Sequence, residues 1–137
     1  MLRCIQVGVG GFGNRWLDAI GATPSVRHAA LVDVGEEALG RAVEKTGIGS
    51  GLAFRDCNRA FDEVDADFAL VVVPPFYHEE VAEAAFDHGL HVLTEKPMAH
   101  EMASAKRMVG KAEKLNLSLM VSQNYRLILK GSGHSAK

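Results

Sequence analysis

The amino-acid sequence predicts an α/β fold, a doubly wound parallel sheet of five or six strands flanked by helices. Three observations carry this expectation. Apolar runs of strand length alternate with segments of helical period along the chain, the pattern of parallel pairing through right-handed crossovers. The run Phe68–Val73 is apolar without alternation, as a strand covered on both faces requires. The first apolar run leads through a glycine-rich turn directly into a helical segment.

The elements follow in order. Leu2–Val9 is the first strand, and Asn14 to Ile20 the first helix, with Trp16, Leu17 and Ile20 on one apolar face before Gly21, Thr23 and Pro24 stop it. His28–Val34 is a strand, and Glu36 to Thr46 a helix with acids in its first turn and Gly47 where a left-handed cap belongs. Gly51–Phe54 reads as a short strand and Arg59 to Val64 as a brief helix. Pro74 and Pro75 end the run Phe68–Val73, and Glu79 to His88 is helical, with Gly89 as its stop. Leu90–Thr94 is a strand, Met102 to Leu115 a helix and Leu117–Val121 a last strand. The domain is expected to fill residues 1–126, and the glycine- and serine-rich residues 127–137 to form a flexible tail.

Composition narrows the function classes. The 137 residues carry 15 Lys and Arg against 17 Asp and Glu, for a net charge of -2. That balance, with charges interspersed, argues against nucleic acid or an anionic lipid surface as partner. No apolar stretch approaches the ~20 residues that span a bilayer. The first residues enter a strand rather than a basic and apolar leader, and Cys4 and Cys57 are the only cysteines. A reducing, cytoplasmic setting is the expectation. His78, His88, His91 and His100 lack partners at ligand spacing, so no metal site is expected.

Gly8, Gly10 and Gly13 stand in the G-x-G-x-x-G arrangement between the first strand and the first helix. The first glycine permits the tight turn, the second lets backbone approach a pyrophosphate, and the third lets helix pack on strand. Amides at the helix start, with the helix dipole, then attract the anion. Gly11 is expected to add slack without being required. Asp33, about 20 residues further at a strand end, accepts hydrogen bonds from ribose hydroxyls and repels a 2′-phosphate. Val34 and Gly35 supply no offsetting cation. A Rossmann-type site for NAD, rather than NADP, is therefore expected. The alternatives are flavin or S-adenosylmethionine in a similar turn, or an empty turn in which Asp33 caps the following helix. No Gly-Lys-Ser or Gly-Lys-Thr follows, which excludes a P-loop.

Glu95-Lys96-Pro97 lies just past the strand Leu90–Thr94, on the rim where open parallel sheets bind ligands. With Gly8, Gly10, Gly13, Asp33, Pro74, His78, Gly89 and Asn124-Tyr125-Arg126, it makes the chain resemble the glucose–fructose oxidoreductase / inositol dehydrogenase (Gfo/Idh/MocA) family from about Arg3 to Arg126. The resemblance implies oxidation of a sugar or polyol hydroxyl by hydride transfer to NAD(P). Lys96 matches the family's lysine beside the nicotinamide and would be the catalytic residue, bonding the reacting oxygen and assisting proton transfer. The cofactor would meet Gly8, Gly10, Gly11, Phe12, Gly13, Asp33, Val73, Pro74, His78, Glu95 and Lys96, with Glu95 positioning either cofactor or lysine. Pro97 is expected to follow a cis peptide, as the resemblance suggests.

The resemblance also has gaps. Pro75 stands where the family carries an amide side chain for the cofactor, which puts that contact in doubt. His78 either lines the nicotinamide pocket or begins the helix, and Phe76 and Tyr77 either shield the ring or pack. The family's remaining catalytic residues, its sugar pocket and its oligomer interface lie in a carboxy-terminal substrate domain. That domain is expected to be absent here, leaving cofactor binding with little turnover and a face open to self-association. The rival reading is a non-catalytic dinucleotide sensor or scaffold.

Overall fold

The structure, a computed structural model, describes residues 1–122. The expected domain boundary at 126, the segment Asn124-Tyr125-Arg126 and the tail 127–137 lie outside the described residues. Among the described residues, six parallel strands run β1 Leu2–Val7, β2 Val26–Val32, β3 Ala53–Phe54, β4 Phe68–Val71, β5 His91–Glu95 and β6 Leu119–Ser122. Their spatial order is β3-β2-β1-β4-β5-β6, which reverses direction at β1. This is the doubly wound Rossmann order, and its switch point between β1 and β4 opens the crevice that ligands use.

Among the described residues, five α-helices cover the sheet: α1 Gly13–Gly21, α2 Glu36–Thr46, α3 Cys57–Glu63, α4 His78–Asp87 and α5 Met102–Leu115. One core layer joins Ile5, Val7, Ala69, Val71 and Val92 to Phe61, Phe86 and Met108 under α3, α4 and α5. On the opposite face, Leu17, Leu31 and Leu39 pack under α1 and α2, and Cys4, Ile20 and Leu70 meet beside them. β4 is buried at Ala69, Leu70 and Val71 alike, which accounts for its unalternating sequence.

Several ends differ from the expected ones, most for a local reason. β1 stops at Val7 because Gly8 turns to φ +102°. β2 begins at Val26 and β5 ends at Glu95. β4 stops at Val71, although the Val72 amide still donates to the Val7 carbonyl, and Pro74 leaves no amide with which to extend the ladder. α3 begins at Cys57 because the Asp56 side chain accepts from the Asn58 amide, an N-cap. The last strand starts at Leu119 rather than Leu117, since Asn116 (φ 59°) ends α5 and the Leu117 amide folds back onto the Ala112 carbonyl. Gly47 takes the expected left-handed cap after α2, with φ +73°. The expected cis peptide is present at Lys96–Pro97.

Cys4 and Cys57 are free thiols, and burial pushes Cys4 up to about 12. Among the described residues, no helix is long and apolar enough to cross a membrane, and no three His, Cys, Asp or Glu side chains gather in a metal-binding group.

Candidate functional site

The glycine turn is shaped by close approach. A Cβ on Gly8 would lie 2.2 Å from the Val72 carbonyl oxygen, and one on Gly13 would lie 2.3 Å from the Gly8 carbonyl oxygen. Strand, turn and helix are thus in backbone contact, with no room for a side chain. Gly11 corrects its expected role. It has open space around it but sits at φ +53°, so conformation rather than room selects glycine there.

The buried polar residue beneath the turn is Gln6, which is fully enclosed. Its Nε2 donates to the carbonyls of Gly8 (3.0 Å) and Gly13 (2.8 Å), and its Oε1 faces His28 Nε2 at 2.8 Å. With both loop carbonyls held from below, the turn keeps its shape from within the protein. Burial lowers the His28 imidazole to about 4, which keeps it neutral and donating to Gln6.

Above the turn, α1 starts without a side-chain cap and without an acid in its first turn. The amides of Gly13, Asn14 and Arg15 close onto the carbonyls of Gly10, Gly11 and Phe12. With no side-chain cap and no acid in its first turn, α1 keeps the positive end of its dipole at the glycine turn. Phe12 is exposed beside it, with the Arg15 guanidinium 5.4 Å from its ring centre.

Asp33 stands at the carboxyl end of β2. One of its oxygens accepts the amides of Val9 (2.9 Å) and Gly10 (3.3 Å), and the other accepts the Gly35 amide at 2.8 Å. It therefore ties the glycine turn to the start of α2. The helix-cap role and the ligand role, posed as alternatives by the sequence, are compatible, because a carboxylate has about four acceptor positions. Asp33 also lines a cavity of about 430 Å³ with Gly8, Gly10, Val72, Val73 and Tyr77. A half-exposed acid among largely apolar walls suits the adenosine end of a dinucleotide.

The other half of the rim is built around the loop that follows β5. Lys96 is exposed at this edge. The carboxylate of Glu95 accepts the indole N–H of Trp16 from α1. Trp16, expected only as part of an apolar face, packs against the cluster of Cys4, Ile20 and Leu70 while its polar edge reaches across the sheet.

His78 is enclosed, 1% exposed. Its Nε2 lies 2.7 Å from the Val73 carbonyl, and its Nδ1 lies 2.9 Å from the Met98 carbonyl and 3.0 Å from Thr94 Oγ1. The ring begins α4, as one of the two sequence readings has it, and clamps the loop after β4 to the loop that carries Lys96. Val73 thus meets His78 through its backbone, while Pro74 precedes the short 3-10 turn Pro75–Tyr77. Phe76, 68% exposed, stands edge-on to His100 with ring centres 4.7 Å apart.

Gly8, Gly10, Gly11, Phe12, Gly13, Asp33, Val73, Pro74, Glu95 and Lys96 all fall along the carboxyl edge of the sheet, with His78 beneath it. Sequence reasoning missed Gln6, Trp16 as a partner of Glu95, and Arg55, whose Nε donates to the Val34 carbonyl at 2.9 Å beside Asp33. For Gln6 the signal was present: one amide side chain inside an apolar strand, two residues before the turn.

Order of strands, glycine turn and strand-end acid together define a dinucleotide-binding α/β domain. The family model described as "Oxidoreductase family, NAD-binding Rossmann fold" matches residues 2–123, and the chain belongs to this Gfo/Idh/MocA family. An inositol 2-dehydrogenase of Arthrobacter is 32% identical over 119 residues, covering 84% of this chain and 35% of that protein. A solved oxidoreductase from Agrobacterium radiobacter, in complex with NAD+, L-tartaric acid and magnesium, superposes with a TM-score of 0.86 at 26% identity, over 91% of this chain and 36% of that one. The WlbA dehydrogenase of Bordetella pertussis, in complex with NADH and UDP-GlcNAcA, gives a TM-score of 0.86 at 27% identity over 92% of this chain and 36% of its own. The chain spans about a third of the length of the relatives it matches.

Proposed function

We propose that this chain is the cofactor-holding part of an NAD-dependent dehydrogenase that oxidises a hydroxyl of a sugar or polyol. The observation that carries the reading is the shared edge on which the glycine turn, Asp33 and Lys96 stand. The glycine turn and the positive end of α1 hold the diphosphate, Asp33 accepts from the adenosine ribose, and the loop after β5 presents Lys96 toward the nicotinamide end. When bound, the nicotinamide supplies a hydride acceptor. Lys96 hydrogen-bonds the reacting oxygen and carries its proton as the carbonyl forms. Glu95, held by Trp16, and the His78 clamp fix the loop from which Lys96 acts. The substrate class rests on the relatives, among them inositol 2-dehydrogenases and a glucose-6-phosphate 3-dehydrogenase.

The chain by itself binds the cofactor and turns over little or no sugar, because the exposed Lys96 lacks the enclosure that excludes water from a reacting pair. A face left open by the substrate domain is the surface through which copies would self-associate. Free thiols at Cys4 and Cys57 suit a cytoplasmic setting. The test is calorimetric titration of the 137-residue chain with NAD, followed by incubation with NAD and a panel of inositols and aldoses. Saturable binding without NADH formation is expected. Absence of binding overturns the reading, and sugar-dependent NADH formation overturns the claim of low turnover.

A further inference from the structure

Arg55 follows β3 at the edge of the sheet, and its Nε donates to the Val34 carbonyl at 2.9 Å. That bond lays the guanidinium across the turn after β2, one residue beyond Asp33. Arg55, Asp33 and Val34 line the cavity of about 430 Å³ together with Val73, Tyr77 and Val81. Among the described residues, no carboxylate lies within ion-pair distance of Arg55. An exposed arginine ordinarily samples many rotamers in water, whereas this one is anchored by its Nε with its planar face and terminal donors still available.

A guanidinium in this place has two possible objects, a phosphate on the ribose 2′ oxygen or the adenine ring. Charge separates them. Asp33, Asp56 and Glu80 line the same cavity, three carboxylates against the one guanidinium. A dianionic phosphate would meet net repulsion there, while an uncharged aromatic ring would not. The apolar side chains of Val73 and Val81 line the same cavity, the surface a flat ring needs.

We propose that Arg55 stacks its guanidinium on the adenine and fixes the adenosine half of the dinucleotide, rather than reading a 2′-phosphate. The inference rests on the dinucleotide reading above and adds a residue that the glycine-turn and acid pattern does not contain. Planarity is the property at work, so lysine, a point charge on a flexible stem, cannot replace it.

The test is calorimetry of the 137-residue chain with NAD and, separately, NADP, for the native protein and for Arg55→Ala, Arg55→Lys and Arg55→Trp. Arg55 is exposed, and thermal melts verify that each variant stays folded. Loss of a guanidinium–ring stack is worth roughly 2- to 30-fold in affinity. Arg55→Ala and Arg55→Lys are both expected to weaken NAD by that factor, and Arg55→Trp to stay within about threefold of the native chain. Three results overturn the proposal: Arg55→Lys binding as the native chain does, Arg55→Ala leaving NAD unchanged, or Arg55→Ala weakening NADP more than NAD. If the native chain binds neither dinucleotide, the dinucleotide reading falls and this inference with it. If NAD binds normally to every variant, only the role of Arg55 is lost.

Discussion

Trp16 and Glu95 meet across the carboxyl edge of the sheet, the indole N–H of the first helix donating to the carboxylate beside Lys96. The helix that would hold the diphosphate and the loop that would hold the reacting oxygen are therefore joined by a side-chain bond between residues far apart in sequence. Replacing the indole by a ring of similar bulk removes the donor and leaves most of the packing. Trp16→Phe should cost about 1–2 kcal/mol, a hydrogen bond to a charged group discounted for partial exposure. Hydrogen exchange should quicken at residues 95–98 more than elsewhere. Uniform exchange across the domain would deny the link.

The glycines divide into those that are crowded and those that are not. Gly13→Ala places a methyl group 2.3 Å from the Gly8 carbonyl oxygen, so it should destabilise the domain by about 1–3 kcal/mol and abolish NAD binding. Gly40 lies within α2 and Gly110 within α5, with nothing in contact range of an added Cβ. Gly40→Ala and Gly110→Ala should each raise stability by roughly 0.5–1 kcal/mol. Denaturant midpoints of the three variants check both signs.

Two histidines should tilt the pH dependence in opposite directions. His28 falls from 6.5 unfolded to about 4 folded, so the unfolded chain binds more protons between those values. Stability should drop as pH falls from 6.5 toward 4, by on the order of 1 kcal/mol because part of the ring stays wetted. His88 is raised by the Ala84 carbonyl and by Asp62, so its contribution is full below 6.5 and is lost as pH rises through its folded value. Urea unfolding of the native chain and of His28→Gln between pH 4 and 8 should show the acid-side slope flattened only in the variant.

Asp33 serves two ends. Asp33→Ser removes acceptors for the amides of Val9, Gly10 and Gly35, so the melting temperature should fall by several degrees. NAD affinity should drop at least about tenfold and NADP affinity less, narrowing their ratio. Equal losses for both cofactors would assign Asp33 to loop support alone.

What the sequence makes legible follows from the range of the interactions involved. The helix and strand order, the glycine spacing and the acid at the end of β2 are local patterns with local causes, and the structure reproduces them. Strand ends are less legible, because β4 stops at Val71 where Pro74 and the close approach of the Val72 carbonyl to Gly8 meet, a junction that only the folded chain makes. Gln6 is visible as an anomaly in an apolar strand, but its two acceptors, the carbonyls of Gly8 and Gly13, appear only once the turn is folded. The Trp16–Glu95 bond and the place of Arg55 beside Asp33 carry no sequence signature, since each joins elements that topology alone brings together.

The central claim is that one edge of the sheet holds a dinucleotide along its length, diphosphate at the glycine turn and nicotinamide at Lys96. Amide chemical-shift mapping of the 137-residue chain under NAD titration tests it most directly. Saturating shifts at Gly10 to Gly13, at Asp33 and Val34, at Val73, and at Glu95 and Lys96 are the expected result. Shifts confined to another face, or none at millimolar NAD in a folded sample, would contradict it.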